Sequence, residues 1–160
     1  MDGFGVSQTT GVFAPLLGSP FPMPAGYPFG GGNTGMAADP QEKFFYVSNG
    51  GDIDVLAINS MTGALTFISG SPAPGPGPYI TIDPSGSFLY ADSELGIAAF
   101  SLDANTGALT EVAGSPFPIP EGAYAGNSPA ALVVDSTSSF LYVVVYVPQE
   151  GGASYSYVVG

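Results

Sequence analysis

Apolar and polar residues alternate along most of the chain in short runs, the period of strands that lay one face on a core. Ile80-Thr81-Ile82 leads into Asp83-Pro84-Ser85-Gly86 and then Phe88-Leu89-Tyr90. This reads as strand, tight turn and strand, with Asp, Pro and Gly at the first, second and fourth positions of a type I turn. Gly50-Gly51-Asp52 separates a strand around Tyr46 from another over Ile53 to Ile58, again a hairpin. Asn59-Ser60-Met61-Thr62-Gly63 and Asp103-Ala104-Asn105-Thr106-Gly107 form matching loops in which glycine supplies the left-handed closing residue, and strands over Ala64 to Ile68 and Ala108 to Ala113 follow. No stretch of about ten or more residues carries helical periodicity with caps, so no helix is predicted.

The pattern repeats. Gly18-Ser19-Pro20-Phe21-Pro22-Met23-Pro24 returns as Gly70-Ser71-Pro72-Ala73-Pro74-Gly75-Pro76 and as Gly114-Ser115-Pro116-Phe117-Pro118-Ile119-Pro120, at offsets of 52 and 44. Thr10-Gly11, Thr62-Gly63 and Thr106-Gly107 keep the same two offsets. Asp39 with Phe44-Phe45-Tyr46, Asp83 with Phe88-Leu89-Tyr90 and Asp135 with Phe140-Leu141-Tyr142 give 44 and then 52. Each unit is thus four short antiparallel strands followed by a proline-rich crossover, the pattern of a β-propeller blade. In this register Phe4 to Ser7 and Val12 to Leu17 are the last two strands of a blade, 33–69 and 79–113 are whole blades, and 130–159 supplies three strands of a further one. The fold class is therefore all-β, with residues 1–160 forming one repeat region of about three blades. Propellers usually close with four or more blades. The chain is then a fragment of a longer protein, a subunit completed by oligomerisation, or an open stack.

The runs Ile82-Asp83-Pro84-Ser85-Gly86-Ser87-Phe88-Leu89-Tyr90, Ala98-Ala99-Phe100-Ser101-Leu102-Asp103-Ala104-Asn105-Thr106-Gly107-Ala108-Leu109-Thr110 and Gly114-Ser115-Pro116-Phe117 resemble the lactonase-type seven-bladed propellers, the 6-phosphogluconolactonase and YncE-like, YVTN-repeat family. The resemblance covers essentially the whole chain. It implies a sugar-lactone hydrolase whose site lines the central channel with polar and charged side chains, including His and Arg.

Composition bears on that implication. Of 160 residues 24 are Gly and 16 Pro, which approaches a low-complexity chain, but 45% hydrophobic residues is too much apolar surface for disorder. Thirteen acids face one base, Lys43, for a net charge of −12, which excludes nucleic acid and anionic membranes as partners. There is no His, Cys or Arg, so a zinc site of the usual nitrogen and sulfur ligands, a thiol nucleophile, a Ser-His-Asp relay and a guanidinium clamp are excluded within this chain. The carry-over of family catalytic residues therefore fails, and none is assigned. No apolar run reaches the roughly 18 residues of a membrane helix. Met1-Asp2-Gly3 opens no signal peptide, so the chain is expected to be unexported, mature or truncated.

Repeated residues supply the remaining candidates. Asp39, Asp83 and Asp135 could form a ring of oxygen ligands for calcium, or could cap their own turns. The turn reading is preferred because Asp-Pro-x-Gly explains the residue without a ligand, and Asp52 and Asp54 are read as solvated. Phe21 and Phe117 in the crossovers are read as plugs between blades rather than a polyproline face for a partner. Tyr27, Tyr79 and Tyr124 are placed for packing or for stacking on sugars. Gly30-Gly31-Gly32-Asn33 and Gly122 to Asn127 are insertions, since neither has the context of a phosphate loop. Phe140, Leu141, Tyr142, Val143, Val144, Val145, Tyr146 and Val147 form an uncharged strand suited to self-association if its edge is free. The expectation is a non-enzymatic, extracellular or periplasmic scaffold or binding protein without cofactors, whose partner is a second copy or the missing blades. The alternatives are part of a sugar-lactone hydrolase and a glycan- or calcium-binding module.

Overall fold

The computed structural model describes residues 2–21, 35–49, 51–68, 73–74, 77–119, 128–148 and 154–159, and no helix occurs among them. The described strands form four antiparallel sheets in chain order. The first pairs β1 (Phe4–Val6) with β2 (Phe13–Pro15). The second is the meander β3 (Met36–Ala38), β4 (Phe44–Ser48), β5 (Asp52–Ile58) and β6 (Leu65–Phe67), with β7 (Ala73–Pro74) also paired to β5. The third is β8 (Ile80–Ile82), β9 (Phe88–Ser93), β10 (Gly96–Leu102) and β11 (Leu109–Glu111). The fourth is β12 (Ser128–Val134), β13 (Leu141–Pro148) and β14 (Ser154–Val159), with β13 in the middle. The first strands β3, β8 and β12 lie side by side, so successive sheets share an inner edge.

Local chemistry fixes each meander. In the loop between β5 and β6, Asn59 Oδ1 accepts the amides of Met61 and Thr62, both at 3.0 Å, and Gly63 closes the turn at φ 71°. Asp103 Oδ1 accepts those of Asn105 and Thr106 between β10 and β11, and Gly107 closes at φ 74°. Equal loops give equal registers: Leu56 opposes Phe67, Phe100 opposes Glu111, and Phe4 opposes Pro15. Pairing begins at the same step in all three units.

That register sends one set of side chains between the sheets. Phe44, Tyr46, Ile53 and Val55 of the second sheet pack with Leu89, Ala91, Ala98 and Phe100 of the third in the main core. The Phe44 ring lies where a side chain on Gly107 would stand, since a Cβ there would come within 2.7 Å of it. Beside it the buried Tyr46 hydroxyl donates to the Gly107 carbonyl at 3.1 Å. Desolvation, with Asp39 and Asp103 nearby, pushes the Tyr46 phenol above its ordinary range, so it stays a neutral donor. A smaller cluster of Ile97, Val143 and Val145 joins the third and fourth sheets.

Two expectations need correction. The crossovers do not simply bridge sheets: β7 folds back so that Ala73 pairs with Ile53, and Phe117 forms the equivalent bridge to Ile97. Phe117 is accordingly held through its backbone and its ring stays exposed, whereas Phe21 is buried. The strand expected to offer a free edge, Phe140 to Val147, coincides largely with β13, which is paired to β12 on one side and to β14 on the other. Its backbone groups pair within the sheet, so β13 is not itself an edge strand.

Tyr46→Phe leaves the buried Gly107 carbonyl without its donor while keeping the ring. We expect a loss of about 1–2 kcal/mol, read as a lower urea midpoint at unchanged m-value; an unchanged midpoint would show the bond to be neutral.

Candidate active site

The three repeated aspartates are turn caps. Asp39 accepts the amides of Gln41, Lys43 and Phe44. Asp83 accepts those of Ser85, Ser87 and Phe88, with the Ser85 hydroxyl as a further donor. Asp135 accepts those of Thr137, Ser139 and Phe140, with the Thr137 hydroxyl. Hydrogen bonds to the charged form hold Asp83 below the usual carboxylate range against its burial, and take exposed Asp135 down to about 2. Their lone pairs are taken up by their own turns and, for Asp83, also by the Ser138 hydroxyl of the next turn, and no cluster able to hold a metal occurs among the described residues. Asp52 and Asp54 belong to a hairpin: Asn49 takes the Asp52 amide at 2.9 Å and donates to the Asp54 carboxylate at 3.2 Å.

A different polar group lies at the other end of the inner hairpins, where the first strands begin and the second strands end. Ser48 closes β4 and Asp92 occupies the equivalent place in β9, as the ladder shows: the Ser48 amide donates to Gly35 O and the Asp92 amide to Tyr79 O, both at 3.0 Å. The Ser48 hydroxyl reaches across the seam to the Gly77 carbonyl. Asp92 Oδ1 accepts the Tyr79 amide at 2.6 Å, and a Cβ on Gly77 would lie 2.2 Å from Asp92 Oδ2, so only glycine lets the backbone run this close to the carboxylate. Asp92 is 6% exposed. Burial outweighs the hydrogen bonds it accepts and pushes its carboxyl upward, opposite to Asp83 and Asp135. Among the described residues, this buried carboxylate with its proton affinity raised is the perturbed acid that turn chemistry does not absorb.

The geometry agrees with comparison to known proteins. A family model described as "Lactonase, 7-bladed beta-propeller" matches residues 22–124. The chain belongs to this lactonase family of seven-bladed β-propellers. Among solved structures it is similar to a putative 6-phosphogluconolactonase from Bacteroides uniformis ATCC 8492, at 21% identity and TM-score 0.52, over 76% of this chain and 38% of that one. It is also similar to a putative 6-phosphogluconolactonase from Bacteroides fragilis NCTC 9343, at 20% identity and TM-score 0.49, over 76% of this chain and 36% of that one. The chain thus spans under two fifths of the length of either. A search of curated proteins gives no match.

Family membership overturns the expectation of a non-enzymatic, self-assembling scaffold and favours the alternative that was kept beside it. The absence of His, Arg and Cys, on which that expectation leaned, concerns this chain alone. The recognised family and the incomplete, propeller-type, all-β fold stand. Of the repeated tyrosines, Tyr79 joins the seam through its backbone; Tyr27, Tyr124 and both glycine-rich insertions lie outside the described residues. Asp92 was missed by sequence reasoning. Its signal was a departure from the repeat, Tyr46-Val47-Ser48 against Tyr90-Ala91-Asp92.

The aspartate turns predict an acid response. A folded-state pKa below the unfolded value of about 3.9 contributes stability above that pH, lost as pH falls through the folded pKa. The urea midpoint should therefore drop as pH is lowered from about 4 toward 2. An Asp83→Asn, Asp135→Asn double variant should be weaker at neutral pH and flatter across that window; the same slope as the parent would refute the assignment.

Proposed function

We propose that the propeller to which this chain contributes hydrolyses a sugar lactone, with Asp92 as a proton-accepting carboxylate. The family match over 22–124 carries the reading, and the Asp92 seam supplies a group with suitable chemistry. Water adds to the lactone carbonyl, forming one C–O bond while the bond from that carbon to the ring oxygen breaks. Asp92 takes the proton from water and returns it to the departing ring oxygen, which leaves a hydroxy acid. Desolvation, by raising proton affinity, makes the carboxylate a better base than an exposed aspartate.

The charge of this part favours an uncharged substrate. Its net charge of −12 opposes an anionic phosphosugar. Lys43, its one basic residue, donates to the Ala104 carbonyl at 3.3 Å on the loop side of the sheets.

The complete propeller should hydrolyse gluconolactone faster than its phosphorylated counterpart, measured as alkali uptake at constant pH. Asp92→Asn keeps the acceptor for the Tyr79 amide and removes the base, so kcat should fall about 10²-fold or more while Tm stays level or rises, because a desolvated charge is gone. No turnover above the buffer rate by the complete protein would remove the lactonase reading; full activity of Asp92→Asn would remove only the role of Asp92.

A further inference from the structure

Three residues that lead into β8, Gly77-Pro78-Tyr79, form the wall against which the Asp92 carboxylate rests. Tyr79 is tied to Asp92 twice: its carbonyl accepts the Asp92 amide at 3.0 Å, and its amide donates to Asp92 Oδ1 at 2.6 Å. Gly77 lies against the other oxygen, where a Cβ would stand 2.2 Å from Oδ2. From the opposite side the second sheet presses on the same three residues. A Cβ on Gly35 would come within 2.2 Å of the Pro78 carbonyl oxygen, and the Ser48 hydroxyl donates to the Gly77 carbonyl.

Ser48 is the polar member of that contact. Its side chain is fully buried, and a hydroxyl at such a site contributes through the bond it makes rather than through the area it hides. The bond also sits where it can transmit. Between the Gly77 carbonyl and the Tyr79 amide stands only Pro78, whose ring fixes φ at about −65°. The place of that carbonyl therefore governs where the Tyr79 amide points.

We propose that Ser48 is a positioning residue for Asp92. By holding the Gly77 carbonyl from the neighbouring sheet, it keeps the 77–79 backbone closed on the carboxylate and keeps water from entering beside Oδ2. The two equivalent positions act together, with Ser48 of one sheet setting the surroundings of Asp92 in the next. The role rests on the reading of Asp92 as proton acceptor, but it can be measured without turnover.

Burial is the largest influence on the Asp92 carboxyl, opposed by the amides of Tyr79 and of Asp92 itself, and no neighbouring charge among the described residues contributes. The ionisable groups of the adjoining elements are Tyr79, Tyr90 and Glu94 on its own side and Tyr46, Asp52 and Asp54 on β4 and β5, while β3, β8, β10 and β12 carry none. Opening the wall would admit water, which favours the charged form.

Because Asp92 Oδ1 accepts the Tyr79 amide, the proton NMR signal of that amide follows ionisation of the carboxyl as pH is raised. Asp92→Asn keeps an acceptor but cannot ionise, so it should abolish the inflection. Ser48→Ala should move the midpoint down by about one pH unit. Ser48→Cys, close to serine in size but a weak donor, should move it the same way, and Ser48→Thr should restore the parent midpoint. A merely structural role would lower Tm in Ser48→Ala and leave the midpoint in place. A midpoint unmoved or raised in both Ser48→Ala and Ser48→Cys, or Ser48→Thr titrating like Ser48→Ala, would overturn the proposal. Absence of lactonase turnover in the complete propeller would instead remove the catalytic reading of Asp92 and leave this coupling intact.

Discussion

The fold depends on a carboxylate that accepts its own turn. Asp39, Asp83 and Asp135 each take three backbone amides between the first and second strands of a sheet. Hydrogen bonds to a carboxylate acceptor are stronger than those between neutral groups. The turn is thereby held in one form, and the first pair of the second strand is set. Because side chains alternate along a strand, that setting decides which of Phe44, Phe45 and Tyr46 face the neighbouring sheet. A slip of one residue would put Phe45 where Phe44 and Tyr46 belong, and the contact with Gly107 would be lost. These amides also explain how a chain with one lysine keeps Asp39 and Asp83 buried: their charge is met by N–H dipoles rather than by cations.

The count of donors separates structure from chemistry among the acids. Asp83 collects three amides and hydroxyl donors, and its pKa falls although it is buried. Asp92 is also buried, but backbone hydrogen bonds only partly offset its desolvation, and its pKa rises. The two sit at opposite ends of the same hairpin. One end is saturated and locks the turn, while the other leaves a carboxylate under-solvated beside a glycine that brings the backbone against it.

Much of this was legible in the sequence because it is local. The Asp-Pro-x-Gly turn, the Asn59 and Asp103 loops with Gly63 and Gly107, and the repeat offsets of 44 and 52 are written within a few residues of one another. What remained hidden depends on long-range contact. The return of Ala73 to Ile53 and of Phe117 to Ile97 spans 20 residues in each case and leaves no periodic signal in Pro-rich segments. The middle position of β13 could not be separated from an edge position by composition, since both favour β-branched and aromatic residues. The seam was hidden for the opposite reason. A repeat reading seeks what recurs, whereas Asp92 is informative because its sister position holds Ser48.

The parts of this chain differ in how far they rely on the rest of the ring. Gly35, Ser48, Gly77, Tyr79 and Asp92 all belong to the second and third sheets and the segment joining them, and each sheet has its four-stranded meander within this chain. The burial that raises the Asp92 carboxyl comes from described residues of these two sheets and the segment between them. The first sheet instead exposes Phe4, whose repeats Leu56 and Phe100 are buried. A repeat unit that packs mainly on its neighbours draws its stability from them, so the two full meanders hold the Asp92 seam by their own packing while the two-stranded first sheet leaves Phe4 exposed.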